Sequence, residues 1–155
     1  VIGDEEEKVI KPAVKKMSDL GQLVFGPYAS DSFFGSLDFE KYDATIFATG
    51  SEVEIAVLAA TEMLKKNLKA RVVSMPCIKK FLEEPISFKK KILGGSPLIV
   101  VEAGLSLGWR TFFDDLSNVV SVESFGFSAP KNQLYNHFNI TKENIISKAC
   151  RLIKR

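Results

Sequence analysis

From Ala44 onward the chain keeps one rhythm: short unbroken apolar runs alternate with segments whose apolar residues recur every three to four positions. The runs predict strands at Ala44–Ala48, Ala70–Met75, Leu98–Glu102 and Val119–Glu123. Between them, Val53, Ala56, Val57, Ala60 and Leu64 form a helical stripe that Ile55, Leu58 and Met63 widen past half the circumference. Ser51 and Glu54 have the S-x-x-E spacing of a capping box at its start, and Lys65, Lys66 and Lys69 follow its end. Shorter helices are predicted at Ile78–Leu82, Ser87–Leu93 (stopped by Gly94-Gly95), Leu105–Asp115, Asn132–Phe138 and Lys142–Lys154, the last capped by Thr141. Phe125–Pro130 reads as a loop. Strands that are apolar throughout, rather than alternately, are buried on both faces. The expected fold is therefore α/β: three α/β/α layers around a mostly parallel sheet of about five strands.

Residues 1–43 are less regular. Ile10, Ala13, Val14 and Met17 line one face of a helix predicted over Glu5–Leu20, with Asp4 to Glu7 at its positive end. Pro12 breaks that helix or moves its start to about Lys11, and Gly21 stops it. Leu23–Phe25 is a short strand that suits a sheet edge, closed by Gly26-Pro27, and Tyr28 to Asp43 reads as loop. Residues 1–47 hold nine acids against five bases, whereas the rest of the chain is net basic. The expected organisation is an appendage, 1–43, followed by a compact domain, 44–155.

The overall charge of the 155 residues is only +2, too small a basic surplus for an obligate nucleic-acid binder. With 46% hydrophobic residues a real core is available, but no apolar run is long enough for a transmembrane helix. No signal peptide is expected. Cys77 and Cys150 lie far apart and form no CxxC pair, which fits a reducing cytoplasm. The only histidine, His137, excludes a multi-histidine metal site within the chain.

Several residues carry possible chemistry, each beside a plainer reading. Gly50-Ser51-Glu52 sits at a strand-to-helix turn whose amides suit an anion, or simply start a capped helix. Glu102 and Glu123 end adjacent predicted strands, where open α/β sheets place ligand crevices. They are an acid–base pair, or they receive loop amides and face Arg110. Lys79, Lys80, Lys89, Lys90 and Lys91, near Phe81 and Phe88, form a patch for phosphates or two solvated helix faces. Cys77 is a helix-start thiol or a small buried residue, and His137 a surface or cap residue. Neither a G-x-G-x-x-G nor a Walker A motif occurs.

Sharper inference comes from resemblance. Ala48-Thr49-Gly50-Ser51-Glu52-Val53, Arg71-Val72-Val73-Ser74-Met75-Pro76, Val101-Glu102-Ala103-Gly104, Ser106-Leu107-Gly108-Trp109 and Phe125-Gly126-Phe127-Ser128-Ala129-Pro130 occur in the order found in the C-terminal domain of transketolase. Phe138-Asn139-Ile140-Thr141 to Ile145 continues the likeness, which spans about residues 44–155. It implies two-carbon ketol transfer between sugar phosphates, in the pentose phosphate pathway, as the parent reaction. It also implies thiamine diphosphate and a divalent metal, held between domains of paired subunits that this segment lacks. The C-terminal domain of that family is ascribed structural, regulatory or subunit-contact roles.

Residues 1–43 resemble instead 4-hydroxythreonine-4-phosphate dehydrogenase, through Ile2-Gly3-Asp4-Glu5-Glu6-Glu7, Ile10-Lys11-Pro12-Ala13 and Gly26-Pro27-Tyr28-Ala29-Ser30-Asp31-Ser32-Phe33-Phe34. Asp31 matches an acid near that family's site, without the histidine ligands that accompany it there. The chain thus reads as a fusion joined near Tyr42 to Phe47. The resulting expectation is a domain that is not catalytic in isolation, with no catalytic, cofactor-binding or metal residue assigned. Its expected partners are other transketolase domains or subunits, or a second copy, with neither nucleic acid nor membrane. The rivals are a remnant of the metal- and NAD-dependent dehydrogenase, which would bind zinc, and an anion- or phosphate-binding module.

Overall fold

Strand β2, Ala44–Ala48, is buried at every position, as a strand covered on both faces must be. In the computed structural model, which describes residues 23–25, 42–112 and 116–154, it forms the centre of a five-stranded sheet. The chain runs β1 (Leu23–Phe25), β2, α1 (Glu52–Lys65), β3 (Ala70–Ser74), α2 (Ile78–Glu83), α3 (Ile86–Leu93) and β4 (Leu98–Val101). Two 3-10 turns, Ser106–Trp109 and Leu116–Asn118, lead to β5 (Val119–Val120), α4 (Lys131–His137) and α5 (Lys142–Ile153). The strand order is β1-β3-β2-β4-β5 and every pairing is parallel. The sheet is thus as expected, including Leu23–Phe25 at its edge. The helix predicted over Glu5–Leu20 and most of the loop predicted over Tyr28–Asp43 lie outside the described residues.

Alternate residues of strands β2 to β5 feed two separate cores. Ala44, Ile46, Ala48, Ala70, Val72, Ile99 and Val101 pack with Ala56, Val57, Ala59, Ala60 and Met63 of α1 and with Ile145 and Ala149 of α5. On the opposite face Phe47, Val73 and Val100 pack with Phe81, Ile92 and Trp109. One strand position on this second face is charged. Arg71 is 1% exposed, and its Nη2 donates to the Ile92 carbonyl at 2.6 Å and to Thr45 Oγ1 at 3.2 Å. Its guanidinium lies 5.8 Å from the Tyr42 ring centroid. Burial pulls its pKa down to about 10, which the neighbouring Tyr42 partly opposes. Gly94 makes room for it: a Cβ there would come within 3.1 Å of Nη2, and its φ of 65° disfavours other residues as well.

Three local expectations are corrected. Ser51 is not the acceptor of a capping box. It already has helical dihedrals, and its hydroxyl donates to Glu52 Oε1 at 2.6 Å, while Glu54 is taken by Lys131 at 3.1 Å. The helix predicted over Leu105–Asp115 is, over its described part, a 3-10 turn of four residues closed by Arg110 N–H to Leu107 O, followed by a turn. There Trp109 is driven into the core while Leu105 and Leu107 are left outside. Strand β5 is two residues long rather than five, because past Val120 the segment is held by Val122 N–H to Gly104 O and by side-chain bonds to Glu123.

Two helix ends use asparagine where glycine is commonest. After α1, Asn67 has φ 59°, with Leu68 N–H on Met63 O and Asn67 N–H on Leu64 O. After α4, Asn139 has φ 56°, with Ile140 N–H on Tyr135 O and Asn139 N–H on Asn136 O. Both are Schellman closures, and the second drops Ile140 into the α1–α5 core. Thr141 then caps α5 as expected, accepting from Asn144 N–H at 3.2 Å.

Candidate functional site

Parallel strands bring all their carboxyl ends to one side of a sheet, and ligand crevices of open α/β folds form there. Both predicted carboxylates stand at that side. Glu102, directly after β4, is half-buried; its Oε2 accepts from Thr49 Oγ1 at 3.1 Å and from the indole N–H of Trp109 at 3.3 Å. It ties the end of β2 to the 3-10 turn. Glu123 is exposed and accepts the Ser121 hydroxyl at 2.6 Å and the Ser106 amide at 3.0 Å. These bonds hold its pKa below the usual carboxylate value, the Ser121 hydroxyl first, with a smaller contribution from Arg110. The loop-amide reading of Glu123 is therefore the one the geometry gives. Both carboxylates fasten the 3-10 turn, Glu102 to the end of β2 through Trp109 and Glu123 to the loop after β5 through Ser106.

What those loops present outward is apolar. Leu105 is 60% exposed, Leu107 64% and Phe125 100%, and all three sit on segments joined by Ser106 N–H to Glu123 and Val122 N–H to Gly104 O. Phe127, further along, is half exposed and packs against His137 and Phe138 with ring centroids 4.9 and 5.8 Å apart. His137 is exposed in the last turn of α4, consistent with a surface residue. The sequence signal for this rim was present in the L-S-L-G-W and F-G-F spacings, whose apolar residues alternate too closely for one helix face.

A second polar cluster surrounds the start of α1. Glu52 is only 4% exposed; Tyr135 of α4 donates its hydroxyl to Oε1, and the two hydroxyls of Ser51 and Tyr135 lie 3.1 Å apart. Burial, and then the Glu52 carboxylate, pushes the Tyr135 pKa up to about 12. Beside it lies a cleft of about 380 Å³ between α1, α4 and the start of α5, lined among others by Ile55, Lys131, Asn136, Lys142 and Glu143. An anion at the Gly50-Ser51 turn would meet the carboxylate of Glu52, so the helix start is already supplied with negative charge. Reading the sequence missed the Tyr135–Glu52 bond, because the two residues lie 83 apart.

The remaining candidates are dispersed. Lys79, Lys80, Lys90 and Lys91 are exposed, while Lys89 is half-buried and donates to the Leu82 carbonyl at 2.8 Å. Phe81 and Phe88 turn inward, their rings 6.4 Å apart, and offer no platform among the lysines. Cys77 is half-buried at the start of α2, and Asp31 lies outside the described residues. Among the described residues no three His, Cys, Asp or Glu side chains gather as metal ligands, and no helix is long and apolar enough to cross a membrane. Among the described residues, Glu52, Glu102 and Glu123 take hydrogen bonds from neighbouring protein groups, and the His137 ring meets Phe127 and Phe138 edge to face.

Comparison with known proteins gives two family matches. The model of the transketolase-like TK C-terminal domain matches residues 33–141, and that of the pyridoxal phosphate biosynthetic protein PdxA matches residues 1–49. A transketolase of Sinorhizobium medicae is 43% identical over 114 residues, covering 73% of this chain and 16% of the relative. A transketolase of Cereibacter sphaeroides is 41% identical over 105 residues, covering 68% and 16%. Among solved structures, the transketolase from Leishmania mexicana superposes with a TM-score of 0.67 at 38% identity, over 74% of this chain and 17% of that one. The chain thus spans about a sixth of the length of the curated relatives it matches.

Proposed function

Because the chain belongs to the transketolase C-terminal domain family, and carries a PdxA-like segment at its start, we propose that it serves as a contact domain and not as a catalyst by itself. The observation that carries this reading is the rim of Leu105, Leu107 and Phe125 at the carboxyl side of the sheet. Exposed side chains of this size cost solubility unless something covers them, and here they stand on loops fastened by Glu102 and Glu123 instead of hanging free. Its partners are the other domains or subunits of a transketolase-type enzyme, in the cytoplasm. Two-carbon ketol transfer, with thiamine diphosphate and a divalent metal, belongs to those partners; this domain's own residues position the rim.

The test uses a transketolase shortened by its C-terminal sixth as the binding partner. Titration with this chain is expected to saturate, and Leu107→Ser combined with Phe125→Ser to weaken binding by at least about tenfold, the scale of one central hot spot. Absence of binding by the parent chain overturns the proposal. So does ketol transfer by the chain alone when thiamine diphosphate and magnesium are added.

A further inference from the structure

Covering the apolar rim also covers a charge. Glu123 accepts from the amide of Ser106, the residue between Leu105 and Leu107, and stands two positions before Phe125. Both of its bonds, from that amide at 3.0 Å and from the Ser121 hydroxyl at 2.6 Å, end on one oxygen, Oε1. Among the described residues no hydrogen bond or ion pair reaches Oε2. Arg110, exposed just after the 3-10 turn, forms no ion pair with it and is the least of the influences on its pKa.

The two bonds on Oε1 favour the ionised carboxylate, so protonation is not an easy escape when water is removed. A partner seated on the leucines and Phe125 strips water from Oε2, and a carboxylate buried without a counter-charge is strongly unfavourable. The partner must therefore bring a cation. We propose that the rim takes a basic anchor from its partner: an arginine whose guanidinium donates to Glu123 Oε2 and whose stem lies along Leu105, Leu107 and Phe125. The inference rests on the contact-domain reading and gives the partner's surface its chemistry. Arginine suits the place better than lysine. Its guanidinium gives up water more readily, its flat face stacks on a phenyl ring, and its methylenes cover apolar surface. Arginine is also among the side chains that most often dominate an interface.

Two titrations of the full chain test the anchor. In the first, backbone amide signals are followed by NMR while N-acetylarginine amide, N-acetyllysine amide or N-acetylcitrulline amide is added; the citrulline compound keeps the planar head without its charge. The arginine compound is expected to shift Ser106, Leu107 and Glu123 with an affinity at least about threefold above that of the lysine compound, and the citrulline compound to leave them in place. Glu123→Gln keeps an oxygen for the Ser106 amide but turns a donor outward, so it should abolish the arginine response. Equal shifts by the arginine and citrulline compounds, or an arginine response that survives Glu123→Gln, overturn the proposal. In the second titration the partner is the transketolase shortened by its C-terminal sixth, and Glu123→Gln is expected to weaken binding at least about tenfold. If Leu107→Ser with Phe125→Ser weakens that binding while Glu123→Gln does not, the anchor is overturned and the contact-domain reading stands. A parent chain that ignores the shortened enzyme yet answers to the arginine compound overturns that reading and supports the anchor.

Discussion

The two faces of the sheet are built on different plans. Under α1 and α5 the residues are small, with Ala44, Ala48, Ala56, Ala59, Ala60 and Ala149 all buried. Under α2, α3 and the 3-10 turn they are large, with Phe47, Phe81 and Trp109 in contact with Phe112 and Phe88. Small residues let a long helix lie close against the strands. The opposite cover consists of helices of six and eight residues and a single 3-10 turn, so rings fill the space that helices leave. The aromatic face also tolerates Arg71, whose guanidinium is accommodated by the glycine at position 94.

Substitutions separate the two plans. The largest effect is expected from Trp109→Ala, which empties the aromatic face and leaves Glu102 without its indole donor. Denaturant unfolding should show a loss of about 3–5 kcal/mol. Ala60→Leu tests the other face by overfilling it; a loss of about 1–3 kcal/mol is expected, and a neutral result would show that α1 can move outward. Asn139→Ala asks whether the closure after α4 matters to the small-residue core through Ile140. The left-handed conformation should cost about 1–2 kcal/mol, measured the same way, and Asn139→Gly should restore stability.

The smallest effect concerns the cluster flanking the small-residue face. The Tyr135 pKa is raised from 10 to about 12, so its contribution to stability is complete below pH 10 and is lost as the pH rises through 12. Ultraviolet titration of the phenols should show a late step near pH 12 that Tyr135→Phe removes.

Much of this architecture was legible because strands β2, β3 and β4 are mostly apolar runs rather than alternating ones, and α1 has a clear stripe. Arg71, within an otherwise apolar run, was read simply as part of a strand, and the carbonyl, hydroxyl and glycine that accommodate it come from positions up to 26 residues away. The capping spacing at Ser51 and Glu54 misled for a similar reason: Tyr135 and Lys131 arrive from α4 and redirect both side chains. Leu105–Asp115, after Glu102, reads in the sequence as a short helix. Yet Leu105 and Leu107 stay outside while only Trp109 turns in, a split that depends on Glu102 and Glu123 anchoring the loops. The rim at the candidate site was hidden in that misreading.

An all-parallel sheet also governs how the chain reaches its native state. No two neighbouring strands are joined by a hairpin; even the nearest pairing, Val100 with Val119, spans 19 residues, Thr45 with Arg71 spans 26, and β2 must wait for β4 across a longer loop still. Closing such loops costs entropy before any contact compensates for it, so the polypeptide belongs among the slower folders of its size, with β2 and β3, bridged by α1, as the natural nucleus.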